Sequence, residues 1–574
     1  MKLILKTMER AAGRSMFLYF PEGPARTAFK RSVMTVFRDS DSEASVRALL
    51  EEGGLARLAE DEQIILAFPN PVDGAWNWQR DPYRADDMAF IRHIQGELNT
   101  ETENRPAGAA PVTQGQLQNI MAAMFARMAQ TWHPMNDVKY LAGIGSGASM
   151  ACTVAALEPT LAAAVFAEGA QLAPATVKDA AWAPVPAYLL RCPEQTVAYF
   201  LKANGAVQEG EREGLSYYRN RVNPNQQMLV GSEGSIPAAY RALMRHVRRP
   251  NTGKYGDIER RMLPEVDYAN FELHLDETVL SDGLAHTWFT HIPTAVKANP
   301  ENKVPLMIMF HGASDNPAEA AEMSKFHELG EREGFITVYP WGTNKLTWNS
   351  DMTEGGPDDD AFTMALIDYM IANYPVDAGR VYLSGFSNGA AQAQVIGLCH
   401  PDRIAAVCPI DSNWPGNRMG VSEVDWHDVK PFRLAMELRE RTGIDYRLPN
   451  WYTYGNREPS YPVYRGCTQQ HQYDFWKLYN NIPIKPTPEM DQPHPCGCGV
   501  LGDRYERIEP SSVHPHHSYD VQRFVSRDPG APNLFNYVVM LDKGHDIAEK
   551  DPELGWRFVS QFRRESDGSL TILK

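Results

Sequence analysis

The chain has 574 residues, 43% hydrophobic and 22% charged, an ordinary globular composition but too long for one core, so two domains of about 250–300 residues are expected. Its formal net charge of −16 repels phosphate backbones and argues against nucleic acid as a partner. No segment approaches the roughly 18 apolar residues of a membrane span, which argues against a membrane protein. The apolar start, Leu3 to Leu5, falls short of the roughly 7–15 residues of a secretory signal, so a cytoplasmic location is expected.

Taken in chain order, the first half offers the apolar runs SVMTVF ending at Phe37 and QIILAFP ending at Pro69. Each is short and β-branched or apolar, the pattern of a buried strand. An insertion interrupts this half around 96–125. The polar stretch RRPNTGKYGD, with Pro250 and Gly253, reads as a linker. Beyond it, FELHLDETV and HTWFTHIP predict an antiparallel edge hairpin. Then VPLMIMF, FITVYP, RVYLSGF, IAAVCPI, NWYTYG and NYVVML are candidate strands. Segments between them, such as AAEMSKFHELGEREG and DDAFTMALIDYMIANY, have helical spacing. This alternation predicts an α/β fold with a mostly parallel sheet flanked by helices.

The two halves match one another. Phe37 corresponds to Phe310, Pro69 to Pro340, Trp76-Asn77 to Trp348-Asn349, and Asp86-Asp87 to Asp359-Asp360, at an offset of 271–273 residues. After the insertion the register resumes, and VKYLAGIGSGASM at 138–150 aligns with RVYLSGFSNGAAQ at 380–392. A constant offset over independent landmarks indicates two tandem copies of one domain, 1–250 and 262–574. The second copy carries an inserted loop region around 482–535.

Chemistry concentrates in the second copy. Gly385-Phe386-Ser387-Asn388-Gly389 is a G-x-S-x-G between a good strand and a good helix. That context makes Ser387 a nucleophile on a strand-to-helix elbow. The helix N-terminus favours developing negative charge, and the backbone N–H groups of Asn388 and Ala313 are assigned to the oxyanion hole. His311, beside Ala313, is read as a structural histidine. A base must take the serine proton. His545 follows the last candidate strand, in LDKGHDIAEK, and fits the chain order serine, acid, histidine. Glu458, after NWYTYG, is the candidate acid, and Asp411, after the preceding strand, is its competitor. Trp348 and Trp414 follow strands on the active-site side and are candidate substrate-wall residues, with core packing as the alternative.

The first copy departs at each of these positions. Gly145 aligns with Ser387, and Ser146 lies one position late with Ile144 where a shifted elbow needs glycine. Arg38-Asp39 replaces His311-Gly312, and GSEGS aligns with the His545 segment. The first copy therefore reads as a degenerate, non-catalytic scaffold or binding module.

No cofactor or metal is implied. Cys152, Cys192, Cys399 and Cys408 lie in apolar runs as buried thiols. Cys496 and Cys498, with His494, His514, His516 and His517, match no strong zinc spacing and read as a lid or rim, while Cys467 lies nearby in the same polar region. The seven cysteines indicate no disulfide framework.

The second copy resembles the polyhydroxybutyrate depolymerase and feruloyl esterase group, the carbohydrate-esterase branch of α/β-hydrolases. The resemblance rests on FITVYPWG, Trp348-Asn349, Asp359-Asp360, YPVDAGRVYLSGFSNGA and HPDRIAAVCPI, over roughly 265–480 plus the His545 segment. It implies a triad of Ser387, Glu458 and His545 and the hydrolysis of carboxylic esters. The substrate would be small or polymeric: a polyester such as a polyhydroxyalkanoate, or feruloyl or acetyl groups on saccharides. The departures are a Glu where the group usually has Asp, DSNWPG in place of a small Ser-Gly turn, the added 482–535 region, and no secretion signal in a group that is often secreted. The other class kept in view is a non-catalytic pseudo-hydrolase that binds carbohydrate or a partner. Assembly into a homo-oligomer is left open.

Overall fold

The computed structural model describes residues 3–8, 11–22, 31–98, 135–411, 426–458, 470–484, 502–528 and 533–573. Trp414, Cys467, His494, Cys496 and Cys498 lie outside them, as does most of the insertion around 96–125. The chain divides into two compact units, Met1–Asp267 and Tyr268–Lys574.

In the second unit, six strands run parallel in the order Ile336–Pro340, Val304–Phe310, Val376–Phe386, Ala406–Ile410, Asn450–Gly455 and Phe535–Met540. All but the ends of Val376–Phe386 and Val304–Phe310 are buried along their whole length, as near-continuous apolar runs require when helices cover both faces. An antiparallel hairpin closes each edge. Phe271–Val279 and Ala285–His291 form the hairpin expected from sequence. At the other edge, Tyr519–Phe524 pairs antiparallel with Phe535–Met540, and Arg504–Ile508 pairs with Tyr519–Phe524.

That second hairpin corrects the reading of 482–535 as loop. RYERI carries the charge of an edge strand, and the buried inner strand YDVQRF is too polar to read as an apolar run, so an apolar-run criterion passes over both. Arg507 and Tyr505 both bond the buried Asp520 carboxylate, at 2.9 and 2.6 Å, so these charges are paired across the hairpin.

The first unit repeats the strand order. Leu3–Met8 and Arg14–Tyr19 form one edge hairpin. Ile64–Pro69, Ser32–Phe37, Lys139–Ile144, Ala164–Glu168, Ala187–Leu190 and Gln227–Gly231 run parallel, and Leu215–Arg219 with Val207–Arg212 closes the far edge. Each unit is thus a ten-stranded, mostly parallel sheet flanked by helices.

The unit boundary falls at Asp267, beyond the expected linker. Residues 247–260 are tied back into the first unit by a short antiparallel pair, Val247–Arg248 with Glu259–Arg260. The fully buried Arg248 bridges Asp137 at 2.8 Å and Glu259 at 2.9 Å. Arg249 donates to the carbonyls of Ala162, Pro184, Tyr255 and Gly256. Two arginines that look like linker residues are buried because their terminal guanidinium nitrogens meet carboxylates or carbonyls.

Both units keep one further device. Trp348 Nε1 donates to the His311 carbonyl at 3.0 Å, and Trp76 Nε1 donates to the Arg38 carbonyl at 2.8 Å. Asp359 accepts from the Asn349 N–H at 2.8 Å, and Asp87 accepts from the Asn77 N–H at 2.7 Å. The Trp-Asn and Asp-Asp landmarks shared by the two halves are a staple that fastens the loop after Ile336–Pro340, or after Ile64–Pro69, to the helix that follows it.

Candidate active site

Ser387 sits at the turn between the strand Val376–Phe386 and the helix Asn388–Cys399. Its φ of 55° and ψ of −116° lie in a region that L-residues rarely adopt. The turn is held by the Ser387 N–H donating to Ile410 O at 3.1 Å. A side chain at Gly385 would run into Gly389 and Ala390, and one at Gly389 would run into the Phe310 and His311 carbonyls. The two glycines therefore let the helix start against the neighbouring strand, and the serine takes the strained corner.

His545 lies on the loop after Phe535–Met540, and its ring packs 4.7 Å from that of Phe386, the residue before Ser387. Its Nδ1 is 2.7 Å from Glu458 Oε1. The carboxylate is nearly sealed from solvent, at 4% side-chain exposure, whereas the imidazole is 39% exposed. This geometry orients the ring through Nδ1 and leaves the imidazole partly exposed.

Asp411 is close to both, with a carboxylate oxygen of Asp411, one of Glu458 and a ring nitrogen of His545 within 4.8 Å of one another. Its partners are different. Its carboxylate accepts from Gly455 N at 3.0 Å, from Asp546 N at 3.2 Å and from the Lys543 ammonium at 3.2 Å. Lys543 in turn donates to Asp551 at 2.7 Å. Sequence reasoning passed over Lys543 because a lone lysine in a loop carries no sign that it is buried.

The loop with Ala313 follows the strand Val304–Phe310 and is held from three sides. His311 accepts from Gly342 N at Nε2, 3.0 Å, and its Nδ1 lies 2.6 Å from the Gly312 carbonyl. Those partners fix the Nδ1–H tautomer and leave no lone pair for chemistry, as a structural histidine requires. Trp348 is 3% exposed, packed edge-on to Phe310 at 4.9 Å. Its peptide N–H donates to Asn388 Oδ1 at 2.6 Å. Trp348 therefore supports the Ala313 loop and the helix start from beneath, in the core position that was the alternative to a substrate wall. The backbone of Asn388 opens the helix while its side chain serves this support.

The equivalent place in the first unit keeps the bend without the nucleophile. Gly145 has φ 62° and ψ −136°, close to Ser387, and precedes the helix Ser146–Leu157. Asp39 reaches over it, accepting from Ser146 N at 3.0 Å, Gly147 N at 3.1 Å and Ser146 Oγ at 2.6 Å. A Cβ at Gly145 would overlap the Asp39 carboxylate. An internal anion thus occupies the helix N-terminus where a nucleophile side chain would stand.

A parallel sheet with crossover helices and a strained serine elbow at its carboxyl edge defines the α/β-hydrolase class. Within it, residues 292–417 match the family model described as esterase PHB depolymerase. That stretch, which lies in the second unit, is similar to depolymerases and carbohydrate esterases. A poly(3-hydroxyalkanoate) depolymerase C of Paucimonas lemoignei is 34% identical over 131 residues, 21% of this chain and 30% of that protein. A feruloyl esterase B of Talaromyces funiculosus is 24% identical over 123 residues, 21% of this chain and 34% of that protein. The chain thus spans about a third of the length of these curated relatives. Among solved structures, an acetyl xylan esterase from Aspergillus awamori is similar at 13% identity, with a TM-score of 0.33, over 50% of this chain and 98% of that one. Among the described residues, no helix is long and apolar enough to cross a membrane.

Proposed function

We propose that the unit Tyr268–Lys574 is a serine esterase acting on carboxylic esters, either of a polyester or of acyl groups carried on a saccharide. The observation that carries this reading is the His545–Glu458 pair, at 2.7 Å, on the loops beside a serine held in the strained elbow. In the proposed reaction His545 Nε2 takes the Ser387 hydroxyl proton as the oxygen attacks the ester carbonyl. The tetrahedral oxyanion accepts from the N–H groups of Asn388 and Ala313. Collapse breaks the ester bond, and His545 returns the proton to the leaving alcohol. Water then repeats the sequence on the acyl-enzyme. Glu458 holds the imidazole tautomer and balances the imidazolium that forms.

The first unit fits a non-catalytic role. The shared strand order and the paired Trp-Asn staples favour its origin as a copy of the same domain, with Asp39 stabilising a helix start that has no serine to present.

The test is hydrolysis of a short-chain chromogenic ester by wild type and by Ser387→Ala. The variant is expected to keep its circular dichroism and melting temperature while turnover falls to background. A folded variant with unchanged turnover would remove Ser387 from the reaction. A wild type with no turnover on any ester of these classes would favour a binding protein.

A further inference from the structure

Asp411, Lys543 and Asp551 form an ionic group whose side chains are wholly buried. The three come from different elements: the end of Ala406–Ile410, the loop bearing His545, and the first turn of the helix Asp551–Val559. The Lys543 main chain joins a fourth, because its carbonyl accepts from Arg457 N at 2.9 Å, one residue before Glu458. That approach passes over Gly455, where a side chain would strike the Lys543 carbonyl. Lys543 is two residues from His545 and touches the neighbours of each triad member, since Ser387 N is bonded to Ile410 O, one residue before Asp411.

The charges are arranged for one outcome. Two carboxylates, Asp411 and Glu458, lie within 4.8 Å of the imidazole. Unneutralised, both would stabilise an imidazolium and compete for its N–H. Asp411 accepts three hydrogen bonds, one from the ammonium, so its oxygens are engaged away from the ring. Burial pushes the Asp411 carboxyl up and opposes the Lys543 charge; the ammonium draws Asp411 back down, and Asp411 with Asp551 holds the ammonium above the ordinary lysine range. The remaining titratable groups facing the cluster are Tyr519, on the strand Tyr519–Phe524, whose phenol is raised by burial and by Asp551, and Asp546 on the His545 loop.

We propose that Lys543 is a positioning residue of the active site: it neutralises Asp411, so that Glu458 alone governs the imidazole, and it pins the His545 loop to the serine elbow. This inference rests on the triad reading above. Its prediction concerns the pH profile, because a lysine that only stabilises the fold would change rates without moving ionisations.

The experiment is the pH dependence of kcat/KM for ester hydrolysis by the full chain in wild type, Lys543→Met, Asp411→Asn and the double variant. Removing the ammonium makes the cluster more negative. The acid limb of Lys543→Met should therefore move to higher pH by about one unit, a tenfold change in the proton affinity that governs activity. Asp411→Asn makes it more positive, and its limb should move the opposite way. The double variant should return toward wild type. Limbs that coincide with wild type, or single variants that move in the same direction, would overturn the proposal. Should Lys543→Met not fold, Asp411→Asn alone decides, since an unmoved limb there has the same force. Failure of the triad reading is distinguishable, because it would appear as turnover that survives Ser387→Ala.

Discussion

Glu458 and Asp411 are both buried carboxylates beside one imidazole, and their hydrogen bonds separate them. Glu458 Oε1 meets His545 Nδ1, whereas Asp411 meets two peptide N–H groups and an ammonium. A carboxylate that orients a catalytic imidazole acts through that bond, and its loss in a triad costs about 10⁴ in rate. Glu458→Gln should thus lower kcat by roughly three to four orders of magnitude, whereas Asp411→Asn should stay within about tenfold at its own pH optimum. Steady-state kinetics on one chromogenic ester checks the ranking, and the reverse order would move the acid to the earlier strand. The sequence left these two open because both follow parallel strands at the edge where α/β sites gather. Chain order cannot tell a carboxylate bonded to an imidazole from one bonded to a lysine.

At the scale of elements, the elbow depends on two glycines that make room for the backbone. Gly389 lies under the Phe310 and His311 carbonyls, so an added methyl would push the helix Asn388–Cys399 off the Ala313 loop. Gly389→Ala should cost about 1–3 kcal/mol, the usual range for overpacking a core. It should also reduce kcat more than KM, because the oxyanion donors shift relative to Ser387. Thermal melting with kinetics reads both, and a variant with unchanged melting and rate would mean that the elbow tolerates a side chain. This element was legible in sequence, since glycine spacing, a preceding apolar strand and a following helix act over a few residues. The hairpin Arg504–Ile508 with Tyr519–Phe524 was not, because its outer strand is exposed and charged and its inner strand, though buried, mixes polar and charged residues with apolar ones, so neither shows an apolar run. Trp348 was left open between substrate wall and core packing for a related reason: following a strand at the active edge fixes where the backbone goes, and not that the indole turns inward to bond His311 O.

Across the whole molecule, the same strand order serves one unit with a serine at the strained corner and one with a glycine. The internal offset led to the expectation of one strand order in both halves, which the two sheets have, and the lack of a histidine in the first-half segment aligned with His545 was plain from its residues. The occupation of its helix start by Asp39 was not, because nothing local links Asp39 to Gly145. Ser146, the remaining serine there, donates to Asp39 at 2.6 Å and is one residue past the bend. The most direct test of the account is therefore to treat the wild-type chain with a serine-reactive fluorophosphonate and locate the adduct by peptide mass mapping. A single adduct per chain is expected, on Ser387, with none on Ser146 and none on the Ser387→Ala protein; an adduct on a different serine, or ester hydrolysis that continues with Ser387 fully modified, would contradict the assignment.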